Sequence, residues 1–231
     1  MKSNKKIYLK SLGSRGKIKL WLVDGVFIRE NIDSDFTNFG QHFRFDYIPE
    51  NEFWFDREAV PNERKFFVDH LLVEWKLMKE GLTYFFATSK ADRKEMAERR
   101  KAEIVKISGK SVRGEFLKQA HKELLGTAGE FKIWLIDGRF VRSKYDIEFT
   151  EGGHGLVYDY VPENEIWIDD DVVEKERKYV LLHELHERLG MKKGLTYPAA
   201  HAKALVVEWK ARHGLTKIDW WFKRMGVKLG E

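Results

Sequence analysis

Apolar and polar positions fall into short alternating runs in the first part of each half of the chain and into longer stretches of helical period in the second part. In the C-terminal half, Lys132-Ile-Trp-Leu-Ile136 and Arg139-Phe-Val-Arg142 flank Asp137-Gly138, a dipeptide suited to a two-residue turn, and predict a β-hairpin. Leu156-Val-Tyr-Asp-Tyr160 and Glu165-Ile-Trp-Ile-Asp169 flank Pro162-Glu163-Asn164 and predict a second hairpin. Asp171, with Glu174 three residues on, has the form of a capping box. A helix is therefore expected from about Val172 to Gly190 or Gly194. A second helix is expected from Thr196, with Pro198 in its first turn, to about Arg212.

The same pattern is written twice. Gly16-Lys-Ile-Lys-Leu-Trp-Leu-Val-Asp-Gly25 recurs as Gly129-Glu-Phe-Lys-Ile-Trp-Leu-Ile-Asp-Gly138, at an offset of 113 residues. Without a gap, that offset also superposes Asp46-Tyr-Ile-Pro-Glu-Asn-Glu52 on Asp159-Tyr-Val-Pro-Glu-Asn-Glu165, and Gly81-Leu-Thr-Tyr84 on Gly194-Leu-Thr-Tyr197. The reading is a tandem duplication of an α+β unit, each copy two hairpins of antiparallel sheet followed by two helices. It divides the chain into an N-terminal copy (1–92), a basic helical linker (93–126), a C-terminal copy (127–214) and an aromatic, basic tail (215–231). The linker reads as helical over 92–101 and 114–125 with a break at Ser108-Gly109. The tail aromatics Trp220, Trp221 and Phe222 are expected to pack on the body, because adjacent exposed Trp side chains are costly in a soluble chain.

Composition narrows the chemistry. In 231 residues, 43% hydrophobic and 14% aromatic, there is ample material for packed cores. No Cys is present, which excludes disulfides and thiolate chemistry and leaves His, Asp and Glu as strong metal ligands. No apolar run approaches membrane length and no secretory block is visible, so a soluble, cytoplasmic protein is expected. Charged residues make up 34% of the chain while Gln occurs only at 41 and 119, a balance of thermophile-like character. The net charge of +5 is concentrated: Lys90–Lys122 holds eleven Lys/Arg and five Asp/Glu.

Two histidines and two carboxylates fall within His183-Glu184-Leu185-His186-Glu187. At ~100° per residue, His183 and Glu187 lie one turn apart on one helix face, with Glu184 and His186 flanking them. The duplication gives an internal comparison. His183 and Glu187 correspond to His70 and Glu74, whereas Glu184, His186 and His201 correspond to Leu71, Val73 and Thr88. The first copy thus keeps the frame and loses three polar groups, as expected if only the second is chemically active.

His183-Glu184-x-x-Glu187 resembles the active helix of zincin metallopeptidases, whose His-Glu-x-x-His supplies two zinc ligands and a Glu that activates bound water. The resemblance covers only these residues, and Glu187 stands where the family has His. It implies His183 and Glu187 as zinc ligands, Glu184 as general base, and peptide hydrolysis as the reaction. Strand 165–169 is likewise similar to the edge strand that zincins place beside their cleft. A third ligand is expected from His201 on the next helix. Glu208, seven residues further and on the same face, is expected as a ligand or as acceptor for an imidazole N–H. His186 and Tyr197 complete the candidate set. Asp169, Asp170 and Asp171 are read as helix-capping groups. The leading expectation is a zinc-dependent hydrolase acting on a peptide or small-molecule substrate, with its site in the second copy. The alternative is a non-catalytic structural or nucleic-acid-binding protein contacting phosphates through residues 90–122, in which His183 and Glu187 form only a structural pair.

Overall fold

Strands and helices succeed one another in the same order twice along the computed structural model, which describes residues 7–59, 61–102 and 113–230. The first series is β1 (Tyr8–Arg15), β2 (Ile18–Val23), α1 (Gly25–Asn31), β3 (Phe39–Gln41), β4 (Glu52–Asp56), α2 (Arg64–Lys79) and α3 (Tyr84–Lys101). The second is α4 (Arg113–Ala120), β5 (His121–Ala128), β6 (Phe131–Ile136), α5 (Gly138–Lys144), β7 (Gly152–His154), β8 (Glu165–Asp169), α6 (Glu174–Lys192) and α7 (Tyr197–Arg212). It closes with α8 (Ile218–Met225) and β9 (Val227–Leu229). The result is a mixed α+β protein with a four-stranded sheet, β1-β2-β4-β3, and a five-stranded sheet, β7-β8-β6-β5-β9. Two compact units are formed, Met1–Ile107 with Ser143–Glu148, and Ser108–Arg142 with Phe149–Glu231.

Within each sheet the central pair is parallel, β2 with β4 and β6 with β8. Trp21 stands opposite Trp54 and Trp134 opposite Trp167. In the second sheet Ile133, Leu135, Ile166 and Ile168 face Val180, Leu181 and Leu185 of α6, while Ile136 and Trp167 face Phe116, Val141, Phe149 and Val161 on the other side. Each such buried aliphatic or aromatic side chain contributes roughly 1.5–3 kcal/mol. In the first unit, α2 covers its sheet through Phe67, Val68 and Leu71. Leu181 and Leu185 therefore fix α6 on the sheet by one stripe and turn the stripe of His183 and Glu187 toward α7. The two helices approach closely because Gly190 faces Ala200, where an added Cβ would come within 3.4 Å of the Ala200 methyl.

Several sequence expectations are corrected. Asp137-Gly138 does not form a hairpin turn. The Asp137 carboxylate accepts from Phe140 N at 2.8 Å and starts a helix, as Asp24 does from Phe27 N at 3.2 Å. The glycine serves close approach, since a Cβ at Gly25 or Gly138 would overlap the carboxylate of Asp56 or Asp169. Residues 156–160 are turns rather than a strand. Tyr158 and Tyr160 pack edge-on or tilted beside Phe149 and Trp167, and the antiparallel partner of β8 is instead β7. Consequently β8 is an interior strand, not an edge, and β7 is the edge. Asp171 does not cap α6, whose N-cap is Val173 without a side-chain bond. Asp171 and Asp169 pair with buried Arg142, and Asp170 with Lys122. Residues 121–125, expected to be helical, lie in β5. The expected break at Ser108-Gly109 falls outside the described residues. In the tail, Phe222, Met225 and Val227 pack on the second core and β9 pairs with β5. Among the described residues no helix is long and apolar enough to cross a membrane.

Candidate metal centre

The facing stripes of α6 and α7 bring three ligand-type atoms together. His201 Nδ1 lies 2.8 Å from Glu187 Oε2 and 3.1 Å from His183 Nε2, and the last two are 3.7 Å apart. Tetrahedral zinc with bonds of ~2.0–2.1 Å places its ligand atoms ~3.3 Å from one another, so the triangle has the right size for one ion. Behind it, His183 Nδ1 meets Glu208 Oε2 at 2.8 Å. Arg212 Nε donates to Glu208 Oε1 at 2.8 Å and Arg212 NH1 to Glu176 Oε2 at 2.6 Å, all of it buried. A ring nitrogen facing a carboxylate holds its proton there, which leaves the Nε2 lone pair of a neutral His183 directed into the triangle.

Electrostatics follow from this crowding. Burial alone would favour a neutral His183, but hydrogen bonding to Glu187 and Glu208 and the charge of Glu184 outweigh it and push its pKa up to about 10. Burial likewise opposes ionisation of Glu187, yet His154, His183 and His201 hold its carboxyl well below the usual range. The centre is thus a deprotonated carboxylate beside a ring whose extra proton a divalent cation would displace.

Glu184 has a different environment. Burial, only partly offset by His183 and His154, pushes its pKa up to about 7. Its side chain runs against β7, where a Cβ on Gly152 would come within 3.1 Å of Glu184 Cγ, so glycine is required there for the carboxylate to take this place. One Glu184 oxygen lies within 4.8 Å of ligand atoms of His154 and Glu187. Of the remaining candidates, Tyr197 is half-exposed with its ring 5.5 Å from that of His201. His186 points elsewhere, edge-on to Trp221 at 5.2 Å, with its pKa lowered by burial and by the His183 charge. His154 was not among the candidates. It is fully buried on β7 with Nε2 3.0 Å from Glu187 Oε1. Its correspondence at 113 residues to Gln41, one of only two glutamines, was the available signal. Arg212, matching Arg99, was also missed.

The first unit builds the same network from other donors. Glu74 Oε1 accepts from Gln41 Nε2 at 2.7 Å and Glu74 Oε2 from Thr88 Oγ1 at 2.9 Å, where the second unit has His154 and His201. His70 Nδ1 lies 3.0 Å from Glu95 Oε2, and Arg99 pairs with Glu95 and Glu63. Leu71 stands in place of Glu184 and joins the core. Among the described residues, the groups able to hold a metal ion all lie in the second unit: His183, Glu187 and His201; His154, Glu184 and Glu187; and Asp169–Asp171. The aspartates of the last group are already engaged by Arg142 and Lys122.

Burial lowers the His70 pKa, but Glu74 and Glu95 outweigh it and raise it to about 9. A folded value above the unfolded ~6.5 stabilises fully below pH 6.5, and the contribution, roughly 3 kcal/mol, is lost as pH rises to about 9. The Tm difference between wild type and His70→Gln should therefore shrink across that window. A constant difference would contradict the assignment.

The chain matches no protein-family model, no curated protein and no solved structure.

Proposed function

We propose that the second unit is a metal-dependent hydrolase centre, with zinc held by His183 Nε2, Glu187 Oε2 and His201 Nδ1. The observation that carries the reading is the spacing of those three atoms, 2.8, 3.1 and 3.7 Å, with the Glu184 carboxyl beside them. Three protein ligands leave a fourth position for water. His201, whose side chain keeps 28% of its exposure, marks the side open to solvent. Zinc lowers the pKa of a bound water and stabilises charge on the attacked group; Glu184, close to the ion without being needed as a ligand, takes the water's proton. Glu208 orients His183, and Arg212 and Glu176 fix Glu208. The likeness of His183-Glu184-x-x-Glu187 to zincins favours an amide substrate.

The rival nucleic-acid reading has less to draw on, since Arg99 is buried between Glu63 and Glu95 and Lys122 pairs with Asp170. A screen of peptide and ester libraries in the presence of zinc tests the proposal. Hydrolysis should be found, lost with a chelator and restored by zinc. Absence of hydrolysis, or turnover indifferent to chelation, would overturn it.

A further inference from the structure

Two metal-competent groups share Glu187, one with His183 and His201, the other with His154 and Glu184. Proximity alone would allow two ions bridged by that carboxylate. The hydrogen bonding of His154 decides between one and two. Leu156 N donates to His154 Nδ1 at 3.3 Å. A nitrogen that accepts carries no proton, so the ring is neutral and its proton sits on Nε2, 3.0 Å from Glu187 Oε1. A protonated Nε2 has no lone pair for a cation. Moving the proton to Nδ1 would set two N–H groups against each other in a fully buried turn, leaving both without an acceptor.

The first unit repeats this bridge with a side chain of fixed roles. Gln41 Oε1 accepts from Phe43 N at 2.8 Å, and Gln41 Nε2 donates to Glu74 Oε1 at 2.7 Å. Gln41 and His154 share one position at the offset of 113, as do Phe43 and Leu156. The position accepts from the turn that follows β3 or β7 and presents a proton to the helix carboxylate.

Resting on the metal-centre reading, we infer that His154 is a positioning residue, not a ligand. It holds Glu187 Oε1 so that Oε2 alone faces His183 and His201, and the centre takes one ion. Glu184 is thereby left free of metal. The chemistry asked of this position is donation, which Gln supplies and an aliphatic side chain does not.

The test uses the full chain loaded with zinc or with cobalt(II), comparing wild type, His154→Gln and His154→Leu, with circular dichroism to confirm folding. Wild type and His154→Gln should each hold one ion, with the same cobalt d–d absorption and affinities within about threefold. His154→Leu, while folded, should bind some 10–100-fold more weakly, the usual effect of removing a group that orients a ligand. A wild type with two ions, a His154→Gln variant that loses its ion, or a shifted cobalt spectrum would each overturn the inference. The two failures are distinguishable. If wild type takes up no ion, the metal centre itself falls; if wild type holds one and His154→Gln none, only the positioning role does.

Discussion

Glu184→Gln is expected to keep the fold and the bound ion while lowering hydrolysis by ~10²-fold or more, because a general base is lost and no ligand is removed. The substitution is nearly isosteric, which matters where Gly152 leaves only enough room for the side chain present. Leu71 at the corresponding site of the first unit means that Glu184→Leu should also fold, giving a second inactive variant without ambiguity from unfolding. The base must be ionised to act, so activity should rise with pH through the Glu184 pKa. That value is about 7 without an ion and is lowered by a neighbouring cation, which places the acidic limb below pH 7. Full activity of Glu184→Gln, or loss of the ion with it, would remove Glu184 from the catalytic role.

Removal of His183 or His201 should have the largest effect on metal content, from about one ion per chain to almost none, because each leaves only two of the three atoms that define the triangle. His70→Ala should leave metal content unchanged, since the first unit satisfies Glu74 with Gln41 and Thr88. That variant should lose stability instead, as Glu95 and Arg99 are left in a buried network without their third member. Equal metal loss from His70→Ala and His183→Ala would show that the two units work alike.

The parts of this arrangement legible in the sequence were those fixed by local period. Leu181 and Leu185 on one stripe, His183 and Glu187 on the next, and the short turn before Thr196 suffice to set α6 against the sheet and α7 against α6. The parts that failed depended on partners distant in the chain. Asp-Gly reads equally as a turn or as a helix cap with a close approach, and only the carboxylates of Asp56 and Asp169, which fill the space over each glycine, decide it. Tyr158 and Tyr160 alternate as a strand would, yet their rings are spent on Phe149 and Trp167 in a turn. His154 sat in a glycine-rich segment that looked like a loop. Pairing of β7 with β8 carries it beneath Glu187, and no local pattern records that.

The most direct test of the metal centre is elemental analysis of the purified wild-type chain after incubation with zinc and removal of unbound ion. One tightly held zinc per chain is the predicted result, as the single triangle of His183, Glu187 and His201 requires. A chain that emerges metal-free, and whose His183 ring signals in NMR do not change when zinc is added, would contradict it.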